Sequence, residues 1–223
     1  VPRFSPLFSL LVPAYNEEVT VVQSLYSLLR LDYPEFELII VNDGSKDRTV
    51  DVLLEAFDFH PVTRETVDQL ATANVRCEYA ARPPPWSRVK RILLIDKENG
   101  GKADALNAAL NAARGAYVCS MDADSLIVPE ALNHLVQPIL DEPNELVALG
   151  VQIAVSNGSE VRDGRIVRAA LPDAVVARIQ VVEYMRSFTQ NRTALGRLNL
   201  LLILSGAFAV FQRDLLMVVG GFL

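Results

Sequence analysis

The sequence runs to 223 residues, 51% of them hydrophobic and 22% charged, with a formal net charge of -6. Such a length and apolar content suit one α/β domain with buried strands, and the acidic balance excludes general nucleic-acid binding, which needs a basic stripe. The longest apolar stretch, Leu198 to Phe211, is broken by Asn199, Ser205 and Gly206 and falls short of the roughly 20 apolar residues of a spanning helix; the opening Val1-Pro2-Arg3-Phe4 shows no signal-peptide pattern.

Phe8 to Pro13 reads as a buried strand, and Asn16 then caps a helical pattern in which Val22, Leu25 and Leu29 share a face. Phe36 to Val41 is a second strand, followed by the turn Asn42-Asp-Gly-Ser45 and a helical pattern of Val50, Leu53, Leu54 and Phe57. Residues 58 to 90 stay open, with a short helix capped by Thr63, a strand at Val75 to Tyr79 and a polyproline-like loop at Pro83-Pro-Pro85-Trp86 as the readings. Order returns with the strand Arg91 to Asp96, a Gly100-Gly101 turn, and an alanine-rich helix with Ala103, Leu106, Leu110 and Ala113 on one side and Gly115 as its stop. The strand Tyr117 to Met121 runs into Asp122-Ala-Asp124, and Pro129 opens the next helix. This alternation predicts a mostly parallel sheet with helices on both faces and ligands beyond the carboxyl ends of its strands.

From Glu145 the pattern shifts to α+β: a strand-like Leu146 to Val155, a polar turn at Asn157-Gly158, a helix from about Pro172 to Phe188, and apolar runs on either side of Ser205-Gly206. Between Leu171 and Leu204, Arg178, Arg186, Arg192 and Arg197 alternate with apolar residues, which suits a helix on a membrane surface and equally one packed on the core. Cys77 and Cys119 lack metal-ligand spacing and read as reduced cytosolic thiols, while His60 and His134 read as structural. The sequons at Asn157 and Asn191 carry no weight in a cytosolic domain.

Four successive strands end near a carboxylate: Glu17, then Asp43, then Asp96, then Asp122 with Asp124. One crevice is expected to collect them. It would repel a diphosphate unless a divalent cation sat between, and carboxylate oxygens favour hard ions such as Mg2+ or Mn2+. An Asp-x-Asp alone means little; its place after three other acid-tipped strands gives it meaning. There is no GxGxxG and no P-loop. Gly100-Gly101-Lys102 is a different device, a tight turn that sets a cation at a helix start whose N–H groups face an anionic ligand.

Val12-Pro-Ala-Tyr-Asn-Glu-Glu18, Val41-Asn-Asp-Gly-Ser45, Asn99-Gly-Gly-Lys-Ala-Asp-Ala-Leu-Asn107 and Met121-Asp-Ala-Asp124 resemble the ordered motifs of family 2 glycosyltransferases. The likeness is to their membrane-embedded branch, which includes bacterial poly-N-acetylglucosamine, hyaluronan, chitin and cellulose synthases. Ser205-Gly206-Ala207 and Gly220-Gly221-Phe222 resemble that branch too. The resemblance implies a GT-A (Rossmann-like) fold, with residues 1–124 as the donor half and 125–223 as the acceptor-side half. It implies that Pro13, Ala14, Tyr15 and Glu17 line the base and ribose, that Asp43 bonds the uridine, and that Lys102 contacts the nucleotide with Asn107 supporting its loop. Asp122 would approach the sugar-phosphate and Asp124 hold the metal; Asn42 stands where many relatives carry a second Asp.

The same resemblance implies a UDP-sugar donor, N-acetylglucosamine among the candidates, and a glycan or lipid-linked acceptor. It implies a place on the cytoplasmic face of a bacterial inner membrane, and a general base in a Glu-Asp motif beyond Leu223, since none of Asp163, Asp173 and Asp214 matches that motif. Two other readings remain at this point. A nucleotidyltransferase making sugar nucleotides also uses an acidic metal site, but it opens with a basic, glycine-rich loop where this chain has Pro13-Ala-Tyr-Asn-Glu-Glu18. A non-catalytic nucleotide-sugar-binding module would need only the donor half.

Overall fold

The computed structural model describes residues 5–64, 66–141, 147–151, 154–156, 158–188 and 207–223. Phe8–Ala14 (β1) and Phe36–Asp43 (β2) are mostly apolar and buried along almost their whole length, as strands covered on both faces must be. β1 pairs in parallel with β2 on one side and with Tyr117–Met121 (β6) on the other, and β2 pairs in parallel with Arg91–Lys97 (β5). The chain therefore builds outward from β1 in one direction and then crosses back to its other edge. A crevice opens above the carboxyl ends at such a reversal.

Alternation along each strand divides the core in two. Leu10, Val12, Leu38 and Ile40 pack with the helices Val21–Leu29 (α1), Thr49–Phe57 (α2) and Ala131–Asp141 (α4) on one face. Leu11, Ile39, Val41, Leu93 and Ile95 pack under Lys102–Ala112 (α3) on the other. Alanines 105, 108, 109 and 112 let α3 lie close to the sheet, and all four are buried. The expected parallel sheet with helices on both faces is thus its centre.

Both edges are extended by antiparallel strands. Residues 58 to 90 supply His60–Val62 (β3) and Val75–Ala81 (β4), and with Ala148–Gly150 (β7) and Phe208–Gln212 (β10) at the far edge the order is β3-β4-β5-β2-β1-β6-β10-β7. The helix expected after Thr63 does not form among the described residues. Pro61 sits on the outermost strand, where its missing N–H costs no ladder bond. The chain beyond is held by α3 instead: Asn111 Oδ1 accepts the N–H groups of Gln69 and Leu70 at 3.1 and 3.0 Å. On that far edge, β10 runs antiparallel to β6 and to β7.

Glu160–Arg162 (β8) and Arg165–Arg168 (β9) form a separate hairpin. Val175–Arg186 (α5) falls within the predicted helix yet buries none of its residues, and Arg213–Val218 (α6) follows β10. No helix among the described residues is long and apolar enough to cross a membrane. Most of the apolar stretch read from Leu198 onward, with Arg192, Arg197, Ser205 and Gly206, lies outside the described residues, as does Asn157.

Three local expectations change. Asn16 does not cap α1, which starts at Val21 after Thr20; Asn16 sits at φ 56 and its side chain turns to another loop. Gly115 is not a helix stop: α3 ends at Ala112, and a Cβ at Gly115 would lie 2.6 Å from the Leu7 carbonyl oxygen. Pro129 lies in the turn before α4, where its carbonyl accepts the Asp32 N–H at 2.8 Å.

Candidate functional site

The loops after β1 and β2 are laced together. Ser45 Oγ accepts the Asn16 N–H at 3.0 Å, Asn16 Oδ1 accepts that of Lys46 at 2.8 Å, and Thr49 Oγ1 accepts that of Glu17 at 2.8 Å. Asp47 takes the Glu18 N–H at 3.1 Å and Glu18 takes that of Arg48 at 2.9 Å. Partial desolvation raises the Asp47 carboxyl, but hydrogen bonds from the Thr49 hydroxyl and from nearby backbone N–H groups outweigh it and hold the group below its ordinary range. The loop carrying Pro13, Ala14, Tyr15 and Glu17 is therefore set by the loop that follows Asp43.

Above them lies a crevice of about 460 Å³. Pro13, Ala14, Tyr15 and Glu17 line it from β1, Asp43 from β2, Lys102 from α3, and Asp122 and Asp124 from the end of β6. Tyr15 is 45% exposed, so its ring is open to a planar partner. Glu17 accepts the Thr20 hydroxyl at 2.5 Å, and its carbonyl begins α1. Lys102 Nζ is ion-paired with Asp122 Oδ1 across the mouth, with both side chains partly exposed, while Asp124 is exposed.

Asp43 organises the far wall. Its Oδ1 accepts from Lys97 Nζ at 2.6 Å and Gly100 N at 2.9 Å; its Oδ2 accepts from Gly101 N at 2.8 Å and Asn99 Nδ2 at 3.2 Å. A carboxylate has about four lone-pair sites, and here protein donors occupy them. Lys97 escaped the sequence reading, and Asn99 entered it only as the start of a motif, without a role. A lysine closing an apolar strand beside Glu98 looks like a solvated end, and its pairing with Asp43 follows from the β2–β5 register, Asp43 opposite Lys97.

That register also removes Asp96 from the predicted cluster. Neighbouring strand residues point to opposite faces, so with Lys97 turned toward the crevice wall, Asp96 faces away. It accepts from Asn42 Nδ2 at 2.6 Å and lies 3.8 Å from Arg76. Asn107 is likewise not in the crevice. Its Oδ1 accepts the Phe222 N–H at 2.8 Å and its Nδ2 donates to the Phe222 carbonyl at 3.0 Å. Gly221, at φ +83, makes that clamp fit, since a Cβ there would lie 2.3 Å from Asn107 Oδ1.

Asn42, 1% exposed, shows what an acid would do at its position. Asn42→Asp would replace the amide donor by a second carboxylate against Asp96, and Arg76, half-exposed, offsets only part of the repulsion. The expected cost is about 1–3 kcal/mol at neutral pH. Because the pair binds a proton more readily when folded, that cost should fade as pH falls through the carboxylate range. Urea melts of both proteins at pH 7 and pH 4.5 read it directly.

Asp122 and Asp124 suit a hard cation, and among the described residues no group of three or more His, Cys, Asp or Glu side chains is placed to enclose one. Two carboxylates completed by water and a ligand's phosphate oxygens are the donor set Mg2+ commonly takes. The residues present therefore fit an ion that arrives with a diphosphate, and the Lys102 ammonium already supplies a positive charge at Asp122.

The profile of the family described as Glycosyl transferase family 2 matches residues 9–84 and 71–220. Similar curated proteins include poly-beta-1,6-N-acetyl-D-glucosamine synthases from Staphylococcus epidermidis, 28% identical over 216 residues (95% of this chain, 41% of the relative), and from Staphylococcus aureus strain COL, 26% identical over 214 residues (94% and 40%). The chain thus spans about two fifths of their length. Among solved structures, a mannosyltransferase from Pyrobaculum calidifontis, in complex with GDP-Man and Mn2+, superposes over 100% of this chain and 49% of its own, with a TM-score of 0.61 and 22% identity. Staphylococcus aureus TarS in complex with UDP-GlcNAc superposes over 96% and 47%, with a TM-score of 0.54 and 20% identity. The fold is that of these glycosyltransferases, and since the profile runs through every strand bordering the crevice, the chain belongs to glycosyl transferase family 2.

Proposed function

We propose that the chain is the donor-binding core of an enzyme that passes a sugar from a UDP-sugar to a growing glycan or lipid-linked acceptor, with residues 1–124 as its donor half and 125–223 as its acceptor side. The observation that carries this is the acidic pair Asp122 and Asp124 at the end of β6, facing Lys102 at the start of α3 across a crevice bordered by the β1 loop. Relatives named for poly-N-acetylglucosamine synthesis and a neighbour solved with UDP-GlcNAc support N-acetylglucosamine as the sugar. The resemblance to the membrane-embedded branch is the ground for placing the enzyme at the cytoplasmic face of a bacterial inner membrane.

Asp124 and Asp122 would hold Mg2+ or Mn2+, and the neighbour solved with Mn2+ supports that choice. The ion supplies Lewis-acid stabilisation of the departing diphosphate. Lys102 would exchange Asp122 for a diphosphate oxygen, while Pro13, Ala14 and Tyr15 offer an apolar wall with one exposed ring to base and ribose. An acceptor hydroxyl must also lose its proton to a base. Asp163, Asp173 and Asp214 do not line the crevice, and the acids that do are engaged or metal-facing. With no free base among the described residues at the crevice, the 223-residue chain is expected to bind donor and transfer slowly.

The test is calorimetric titration with UDP and with GDP, each with and without Mn2+. UDP should bind more tightly than GDP, and Mn2+ should strengthen it; indifference to the base and to the metal together would overturn the reading.

A further inference from the structure

We propose that Lys97 is the positioning residue of this site: its buried ammonium, held between Asp43 and Asp104, locks the Asn99–Gly101 turn and so fixes where α3 and Lys102 begin. The proposal rests on the crevice being a nucleotide site.

Lys97 is 0% exposed. Its Nζ lies 2.6 Å from Asp43 Oδ1, 2.5 Å from Asp104 Oδ1 and 2.7 Å from the Glu98 carbonyl oxygen. A dehydrated ammonium persists only where partners replace its water, and three oxygens do so here. Of the two carboxylates it joins, one bonds the turn and the other opens the helix that follows it. Asp43 takes the N–H groups of Gly100 and Gly101, and Asp104, in the first turn of α3, takes the Ala73 N–H at 2.9 Å.

The turn has no slack. A Cβ at Gly100 would lie 2.5 Å from Asp104 Cγ, and one at Gly44 would lie 2.7 Å from the Asn99 nitrogen. Asp104 Oδ1 is buried and makes no hydrogen bond of proper geometry, so the ammonium alongside is what compensates its charge.

No other cation among the described residues is ion-paired to either carboxylate. From β5, Asp96 turns to Asn42 and Arg76, and Glu98 offers only its carbonyl oxygen. From α3, Lys102 is taken by Asp122. From the β1 loop, Glu17 is turned to Thr20, and Asp124 is exposed at the end of β6. Without the Lys97 charge, Asp43 and Asp104 face one another uncompensated, and the turn must open or take up a proton.

The experiment compares wild type, Lys97→Met and Lys97→Met/Asp104→Asn by amide exchange at Gly100 and Gly101 without ligand, and by UDP affinity in Mn2+ across about pH 5.5 to 8. In Lys97→Met the two glycine amides should exchange at least about tenfold faster while those of β1 do not. Its UDP affinity should fall about tenfold or more below wild type near pH 8 and recover toward it as pH drops, because the uncompensated carboxylate protonates. The double variant, which removes one of the two facing charges, should lose most of that pH dependence, and it carries the comparison if Lys97→Met does not fold.

Unchanged glycine exchange, or an affinity loss equal at every pH and proportional to lost thermal stability, would overturn the proposal and leave Lys97 as ordinary core. Should wild type bind no nucleotide, the functional reading fails while the glycine amides still decide whether Lys97 locks the turn.

Discussion

Asp124→Ala should abolish the Mn2+-dependent part of UDP binding, a loss on the order of 100-fold in affinity at saturating metal. The sign without metal is the sharper diagnostic. A bare carboxylate repels a diphosphate, so with Mn2+ withheld the variant should bind UDP as well as wild type or slightly better. Asp124 is exposed and holds up no core, so thermal stability should stay within about 0.5 kcal/mol of wild type. Calorimetry with and without Mn2+, beside a thermal melt, reads all three. Equal Mn2+-dependent affinity in both proteins would take Asp124 out of the metal site.

Glu37→Ala should cost about 3–5 kcal/mol of folding stability, the range for stripping one partner from a buried charged network. Glu37 is 2% exposed; its carboxylate takes the Ser9 hydroxyl at 2.7 Å, Arg91 at 3.1 Å and the Arg114 N–H at 2.6 Å. The Ser9 hydroxyl and the Arg114 N–H would lose their acceptor at the foot of the central strands, and Arg91 would keep only its bond to the Ala112 carbonyl. Against a total of about 5–15 kcal/mol, this is a large share, and urea denaturation would show it as a lower midpoint. Glu37→Gln keeps an acceptor and should lose less. Six residue steps along β2, about 20 Å, separate Glu37 from Asp43, so UDP affinity of the folded protein should not change. An affinity loss in Glu37→Gln would mean the two ends of β2 are coupled.

Much of the crevice could be read from the chain because strand ends are local events: an apolar run, then a turn, then an acid. Glu17, Asp43, Asp122 and Asp124 needed nothing more to be placed together, and the glycine turn added Lys102, whereas Pro13, Ala14 and Tyr15 came from the family resemblance. What escaped depends on pairing between distant segments. Asp96 and Lys97 are neighbours, and which of them meets Asp43 is decided by the register of β5 on β2. Asn107 looked like part of the Lys102 loop until Phe222, 115 residues away, proved to be its partner. β4 was legible as the strand read at Val75 to Tyr79, but β3 was missed for a related reason, since a three-residue strand with exposed faces carries little hydrophobic period.

α3 gives these separate facts one mechanical meaning. Asp104, Asn107 and Asn111 are spaced three and four residues apart, so they form a single stripe along the helix. The first grips the segment at Ala73 and lies against the crevice wall, the second grips Phe222, and the third grips Gln69 and Leu70. The helix is thus an axle shared by stretches of chain that never touch in sequence. Any small turn about its axis would register at the mouth of the crevice and at the Gly221–Phe222 clamp in the same instant, with no relay of side chains between them.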